Sequence, residues 1–418
     1  MEGKAKKKKR GEEKLQVQYD HLSSLPDCLL HHILSFLDTK TLLLTGILSK
    51  RWRALSTSFP ILHFIYSDHK FRPKTGEKLD NFVRFIDQTL LLNSNPTIKK
   101  FTLCFPYNEK CVSHVDTCIR FVMQKAIQEL DLTFTGNGSY KLPSSLLKSK
   151  TLISLKLKNC VFGVRHIARF TKLTALSLSC VTLSNLVLED LLKGCPLLED
   201  LVMEYFMCCT RLKIGSSSLK LKRLTIKVDH YVAIDVEAPN LQFLKIDVAD
   251  FGHCSFKDML VLRDACFNAS CAPSNPSEIH SSLNLSLQSL RHAGFLELSS
   301  ACLQVLPIPT FQYLPPSFFK TKSLIIKTGI QKYEIPGIAN LLWSSPDLEN
   351  LIINLRPSSC IYVKKCMVKY DFDERKYWES LTATFPCLVH HLKTITITGF
   401  MGEGRLRSSL KVFQSNGI

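Results

Sequence analysis

The chain has 418 residues, 45% of them hydrophobic and 22% charged, a balance that excludes a disordered protein and allows a sizeable buried core. Its 54 Lys and Arg against 36 Asp and Glu leave a formal charge of +18, which favours acidic partners without naming one. There is no run of about 18 apolar residues and hence no expected membrane span, and the 16 cysteines, with no CxxC pair, read as buried thiols in a reducing compartment.

Residues 1–18 form a polar, basic stretch expected to be a disordered tail with no signal peptide. Its run Lys4–Arg10 fits either a nuclear import signal or a solvated tail, and the expected location is nucleus, cytoplasm or both.

From residue 19 to 66 the pattern is helical. Pro26-Asp27 suits a helix start, and Leu29, Leu30, Ile33, Leu34 and Leu37 follow at helical spacing. Asp38 and Thr39 break the run and can cap a second helix through Leu42, Leu43, Leu44, Ile47 and Leu48. Ser49 can cap a third, carrying Lys50, Arg51, Trp52, Arg53 and Leu55. Three short helices make a core too small to stand alone, so the module should complete itself against a partner or the next domain.

The string LPDxLLxxILSFLxTKxxxxTxxLSKRWRxL is similar, in order and spacing, to the F-box of the large plant F-box families. The resemblance implies a helical bundle that docks on a Skp-type adaptor, which a cullin links to the ubiquitin-charging machinery. Carried over by position, the adaptor-binding residues are Leu25, Pro26, Leu29, Leu30, Ile33, Leu34, Leu37, Leu48 and Trp52, with Ser49, Lys50 and Arg51 completing the LSKRW signature. Two positions depart from the family. Gly46 replaces a small polar residue, and a glycine inside a helix costs ~1 kcal/mol relative to alanine. Ser56 replaces a common aromatic, which would thin the packing behind the third helix.

Over residues 95–357 an LxxLxL-type unit recurs, as in IQELDL, LISLKL, LTALSL, LEDLVM, LKRLTI and LQFLKI. Its fourth position falls at Leu130, Leu155, Leu176, Leu201, Leu224 and Leu244, the spacing of leucine-rich repeats. Each unit should add one strand to a parallel concave sheet, with the leucines stacking into a continuous core. The alternate residues then line the concave face: Asp131, Thr133, Lys156, Lys158, Ser177, Ser179, Val202, Glu204, Thr225, Lys227, Lys245 and Asp247. Lys156, Lys158, Thr225, Lys227 and Lys245 are the candidate substrate-binding residues. The interspersed acids argue for a mixed-charge surface over a phosphate cradle. Residues 248–320 carry little of the pattern and read as an irregular insertion of the kind that often joins a binding face.

Later units are SPDLENLII and HLKTITI. From residue 360 to 418 the chain resembles the start of an FBD segment at Cys387, Leu388, His391, Leu392, Lys393, Ile397, Gly399, Phe400 and Gly402, and looks shortened after it. His253, Cys254, Cys266 and Cys271 are the best metal candidates but lack paired knuckles, and neither metal nor cofactor is expected.

These readings combine into an α/β chain, a small three-helix F-box followed by an irregular leucine-rich-repeat solenoid. No GxSxG, HExxH, P-loop or kinase pattern is present, so no catalytic site is expected. The implied role is the substrate-recognition adaptor of a Skp–cullin–F-box ubiquitin ligase, its partners a Skp-type adaptor, through it a cullin, and an unknown protein substrate. The alternative is a non-ligase repeat protein with a decayed F-box. Basic stretches interleaved with aromatics do not stand out, which disfavours nucleic acid.

Overall fold

The computed structural model describes residues 22–399 except 23, 67–74, 108, 137, 164–168, 216–219, 250–253, 258, 271–275, 307–317, 332–333 and 356–384. Three short helices come first: α1 (Asp27–Leu34), α2 (Thr39–Leu44) and α3 (Lys50–Thr57). Pro26 occupies the N-cap of α1. Asp38 caps α2 by accepting from Thr41 N at 2.9 Å, and Ser49 caps α3 by accepting from Trp52 N at 3.2 Å. The second helix does not run on to Leu48. It tightens into a 3-10 turn at Thr45–Ile47, so Gly46 sits in a turn, not in a helix interior.

The strands that follow are β1 (Ile61–Ile65), β2 (Lys100–Pro106), β3 (Glu129–Thr135), β4 (Tyr140–Lys141), β5 (Ser154–Lys158), β6 (Cys160–Val161), β7 (Ala175–Ser179), β8 (Asp200–Glu204) and β9 (Arg211–Gly215). After them come β10 (Arg223–Lys227), β11 (Ala233–Glu237), β12 (Phe243–Val248), β13 (Cys254–Lys257), β14 (Asp264–Ala269), β15 (Phe295–Ser299), β16 (Ser323–Thr328), β17 (Asn350–Leu355) and β18 (Thr394–Thr398). Thirteen of them form one sheet in the order β1-β2-β3-β5-β7-β8-β10-β12-β14-β15-β16-β17-β18, every pair parallel. The helices α4 (Thr75–Leu92), α5 (Val112–Gln124), α6 (Asn185–Lys193), α7 (Pro276–Leu290), α8 (Ser300–Val305), α9 (Ile335–Trp343) and α10 (Pro386–His390) connect successive strands. A second sheet, β9-β11-β13, runs alongside.

Strict register explains the core. Leu130, Leu155, Leu176, Leu201, Leu224 and Leu244 stand opposite one another on successive strands, and Leu132, Leu157, Leu178, Met203, Ile226 and Ile246 form the next row. All twelve are buried, each fully buried side chain contributing about 1.5–3 kcal/mol. The backbone repeats as strictly. Gln128 O accepts from both Ile153 N (2.8 Å) and Ser154 N (3.1 Å), and the same two-donor pattern recurs as far as Glu349 O, which takes Lys393 N (2.8 Å) and Thr394 N (3.2 Å).

The sheet is longer than the repeat text. It opens with β1, inside the span read as F-box, and reaches β18, inside the span read as FBD-like. Nor is 248–320 an insertion into the main sheet: β14 and β15 take their places in the ladder, where Ala265 and Phe267 hold the core positions that leucines hold elsewhere. The helical module closes the first strand's free edge. Thr39, 2% exposed, accepts from His63 N of β1 at 2.7 Å. Behind it Ser94 N donates to Thr57 O (3.1 Å), Asn93 Nδ2 to Phe59 O (3.3 Å) and Asn95 Nδ2 to Ser58 O (2.6 Å).

Leu201→Ala removes a wholly buried side chain from the middle of the ladder and should cost about 3 kcal/mol, read as a lower urea midpoint. Thr39→Val keeps the shape but takes away the acceptor. It should cost about 1–2 kcal/mol and show first as faster amide exchange at His63.

Candidate functional site

The helical module is built around six buried side chains, Leu30, Leu34, Leu42, Trp52, Leu55 and Phe59, with Leu25, Leu37 and Ile61 packed against them. Arg51 fastens the start of α1 to α3: its Nη2 donates to Leu25 O at 2.6 Å and pairs with Asp27 at 2.5 Å. Outward-facing are Leu22, Leu29, Ile33, Phe36, Leu44, Ile47 and Leu48, with Phe36 76% and Ile47 77% exposed. So many exposed apolar side chains on so small a module mark it as the candidate interaction surface, since folded monomers rarely leave large apolar areas in water.

The structure therefore divides the expected adaptor-binding residues. Pro26, Leu29, Ile33 and Leu48 are exposed and available to a partner. Leu30, Leu34 and Trp52 are interior, and Leu25 and Leu37 lie half-buried against them; these shape the surface from behind. Leu22, Phe36, Leu44 and Ile47 belong to the exposed set and were not among the expected residues. Their signal was an excess, because a short α1 apolar at both Leu29/Ile33 and Leu30/Leu34 cannot bury both stripes in one small core.

Gly46 and Ser56 are not two weak points. A Cβ on Gly46 would lie 3.2 Å from Ser56 Oγ and 3.3 Å from Arg53 Cα, so the small residue at each position admits the other. Both are buried, and Ser56 Oγ donates to Arg53 O at 3.0 Å.

On the open face of the main sheet, Lys156, Thr225 and Lys245 lie in one register row and Lys158 and Lys227 in the next. Most of the charge there is paired between or within strands. Lys156 meets Asp131 at 3.5 Å and Lys245 meets Asp247 at 3.8 Å. Lys227 lies over the Tyr205 ring at 5.1 Å, and its pKa is raised by the Tyr205 hydroxyl and then by Asp247 and Glu204. Lys158 is exposed and has no ion-pair partner among the described residues. Further along, Asn268 Nδ2 bridges Asp247 and Glu297, at 2.8 Å to each, and Lys327 pairs with Glu297. Burial works against the Glu297 charge, but the hydrogen bonds from Lys327 and Asn268 win and hold its pKa below the ordinary glutamate value.

Cys254 lies on β13 of the smaller sheet and Cys266 on β14 of the larger one; His253 and Cys271 are outside the described residues. Burial pushes the thiols of Cys118, Cys160, Cys195 and Cys266 up to about 12, which leaves them protonated and inert. Of the FBD-like residues, Cys387 is buried on α10 and donates to Leu342 O, and Ile397 sits on β18. They build one more repeat. Phe400 and Gly402 lie outside the described residues. Among the described residues no helix is long and apolar enough to cross a membrane.

Two family models match: an F-box domain over residues 22–64 and the LRR domain of the At1g61320/AtMIF1 type over residues 91–406. The chain is 29% identical over 385 residues to the F-box/LRR-repeat protein At5g02910 of Arabidopsis thaliana, covering 88% of this chain and 80% of that one. It is 35% identical over 243 residues to At3g59200 (55% and 46%) and 35% over 242 residues to At2g42720 (54% and 53%), both also named F-box/LRR-repeat proteins of Arabidopsis.

Because the folded-state pKa of Glu297 lies below its unfolded value, its network contributes stability above the ordinary glutamate range. That contribution is lost as pH falls through the folded-state value. Glu297→Ala should thus lower the urea midpoint at neutral pH, and the gap to the parent protein should shrink below about pH 4.

Proposed function

The chain belongs to the F-box/leucine-rich-repeat family, and from that membership we propose that it is the substrate-recognition adaptor of a Skp–cullin–F-box ubiquitin ligase. In this reading the exposed apolar face of α1, α2 and the turn after it docks a Skp-type adaptor, and through it a cullin. The repeats hold the protein to be ubiquitinated. The chain supplies no catalytic group of its own; it acts by raising the local concentration of its cargo at the charged ubiquitin carrier. Its place of action is the nucleus, the cytoplasm or both.

The observation that carries the proposal is the set of seven large apolar side chains left in water around the small helical core. Their burial against a partner supplies the driving force, and the surplus over the cost of association sets the affinity. The alternative, a repeat protein with a decayed F-box, would take Gly46 and Ser56 as signs of decay. Their mutual packing removes both from its support.

A pull-down and titration of the full chain with a purified Skp-type adaptor tests this. Ile33→Asp/Ile47→Asp changes two exposed residues, so it should leave the melting curve unchanged and weaken binding by about a thousandfold, at ~2 kcal/mol for each buried anchor. Leu25→Ala/Pro26→Ala should also lose most of the affinity. Trp52→Ala strikes the interior and should lower the melting temperature as well. A folded Ile33→Asp/Ile47→Asp chain that binds as the parent does would sink the proposal.

A further inference from the structure

Strands β14, β15 and β16 bring together a group of cations at their N-terminal edge that the repeat pattern conceals. Arg263 stands one residue before β14, Gly294 before β15 and Lys322 before β16. Backbone bonds fix their spacing. Arg263 O accepts from Phe295 N (3.0 Å), Gly294 O from Lys322 N (2.8 Å), and Arg291 O from Lys320 N (2.9 Å). Neighbouring strands lie about 4.8 Å apart, so Arg263, Arg291, Lys320 and Lys322 occupy one short stretch of edge. Gly294 leaves open ground in its middle: a Cβ there would meet only Arg263 O, at 3.8 Å.

The side chains of Arg263, Arg291 and Lys320 are exposed, and none of the three forms an ion pair among the described residues. At several other places along the sheet opposite charges on adjacent strands meet: Lys100 with Glu129, Asp131 with Lys156, Glu199 with Lys222 and Asp200 with Arg223. Lys322 is only partly neutralised, since it shares Glu349 with Lys393 at 3.0 and 2.6 Å, one carboxylate between two cations. His292 registers the surplus. Its Nε2 lies 3.1 Å from the donating Arg291 Nε, and its pKa is lowered by burial and then by the charges of Arg291 and Lys320.

We propose that this edge is a docking site for a short acidic protein segment, rich in Asp and Glu, offered by a protein that the repeats hold. The inference rests on the reading that the solenoid binds protein. Two exposed guanidinium groups without an ion-pair partner among the described residues, Arg291 keeping its two Nη groups beyond the bond to His292, suit carboxylates, which arginine takes in bidentate pairs. Asp264 opens β14 and Glu349 stands one residue before β17, so the two acids flank the patch, and Asp347 lies close enough to act on Lys322. They limit it to a short ligand and would repel a duplex, which carries a charge every ~1.7 Å along its axis.

The test is fluorescence anisotropy of a labelled oligoglutamate on the full-length chain at low and at physiological salt, with Arg263→Gln/Arg291→Gln/Lys320→Gln. A second triple, Lys99→Gln/Lys148→Gln/Lys150→Gln, removes equal charge from exposed sites elsewhere. The patch variant should bind about tenfold more weakly, a sum of modest surface pairs, and the control within about twofold of the parent. An equal loss in both variants, or a loss in neither, overturns the proposal. So does a DNA duplex of matched charge that binds more tightly than the peptide and loses affinity in the patch variant. Adaptor binding, measured on the same samples, reports the F-box separately: its failure would count against the ligase reading and leave the peptide result standing.

Discussion

Parallel pairing of short strands in unbroken register is the constraint from which the rest of the molecule follows. A five-residue strand with two buried side chains has no stability by itself. It gains it when Leu176 meets Leu155 on one side and Leu201 on the other, so each repeat is both the cargo and the support of its neighbours. The register also decides what faces outward. Residues at equal positions in successive repeats come within reach of one another, and the charge pattern along the sequence becomes a pattern of pairs across strands. That is how a chain of formal charge +18 presents an open face that is largely self-neutralised. Two surfaces among the described residues stay unbalanced all the same, the apolar side of the helical module and the cationic edge at Arg263, Arg291 and Lys320.

Much of the fold was legible because one rule repeats. The spacing of Leu130, Leu155, Leu176, Leu201, Leu224 and Leu244 gives the period, and the period gives strand, core row and outward row together. Legibility failed where a different residue did the same job. In RDACFNA the core positions fall to Ala265 and Phe267, and a search for leucine passes over a strand that pairs normally. It failed again at β1, since ILHFI follows the helical text without a break and belongs to the sheet only through its partner Phe101 and its neighbours.

The binding surfaces were legible in composition more than in direction. Helical spacing marks a stripe without saying whether it faces the core or water. Leu29 and Leu30 were therefore grouped, though one is exposed and the other wholly buried. Gly46 and Ser56 show the converse. Each looked unfavourable against its own helix, and only the crossing of turn and helix shows that they fit each other. Arg51 is a third case, a charged residue inside an apolar signature that serves by holding the Leu25–Asp27 segment in place.

The hydrogen bond from His63 to Thr39 has a consequence for how such chains can be recombined. Because a threonine of the second helix closes the edge of the first strand, the F-box and the repeats do not meet at a neutral seam. A cut after Thr57 separates Thr39 from His63: the original first strand loses its acceptor, and the acceptor is carried to a strand it was not fitted to. A crossover beyond β1 keeps donor and acceptor together, so that the unit inherited whole is the helices with the strand they protect.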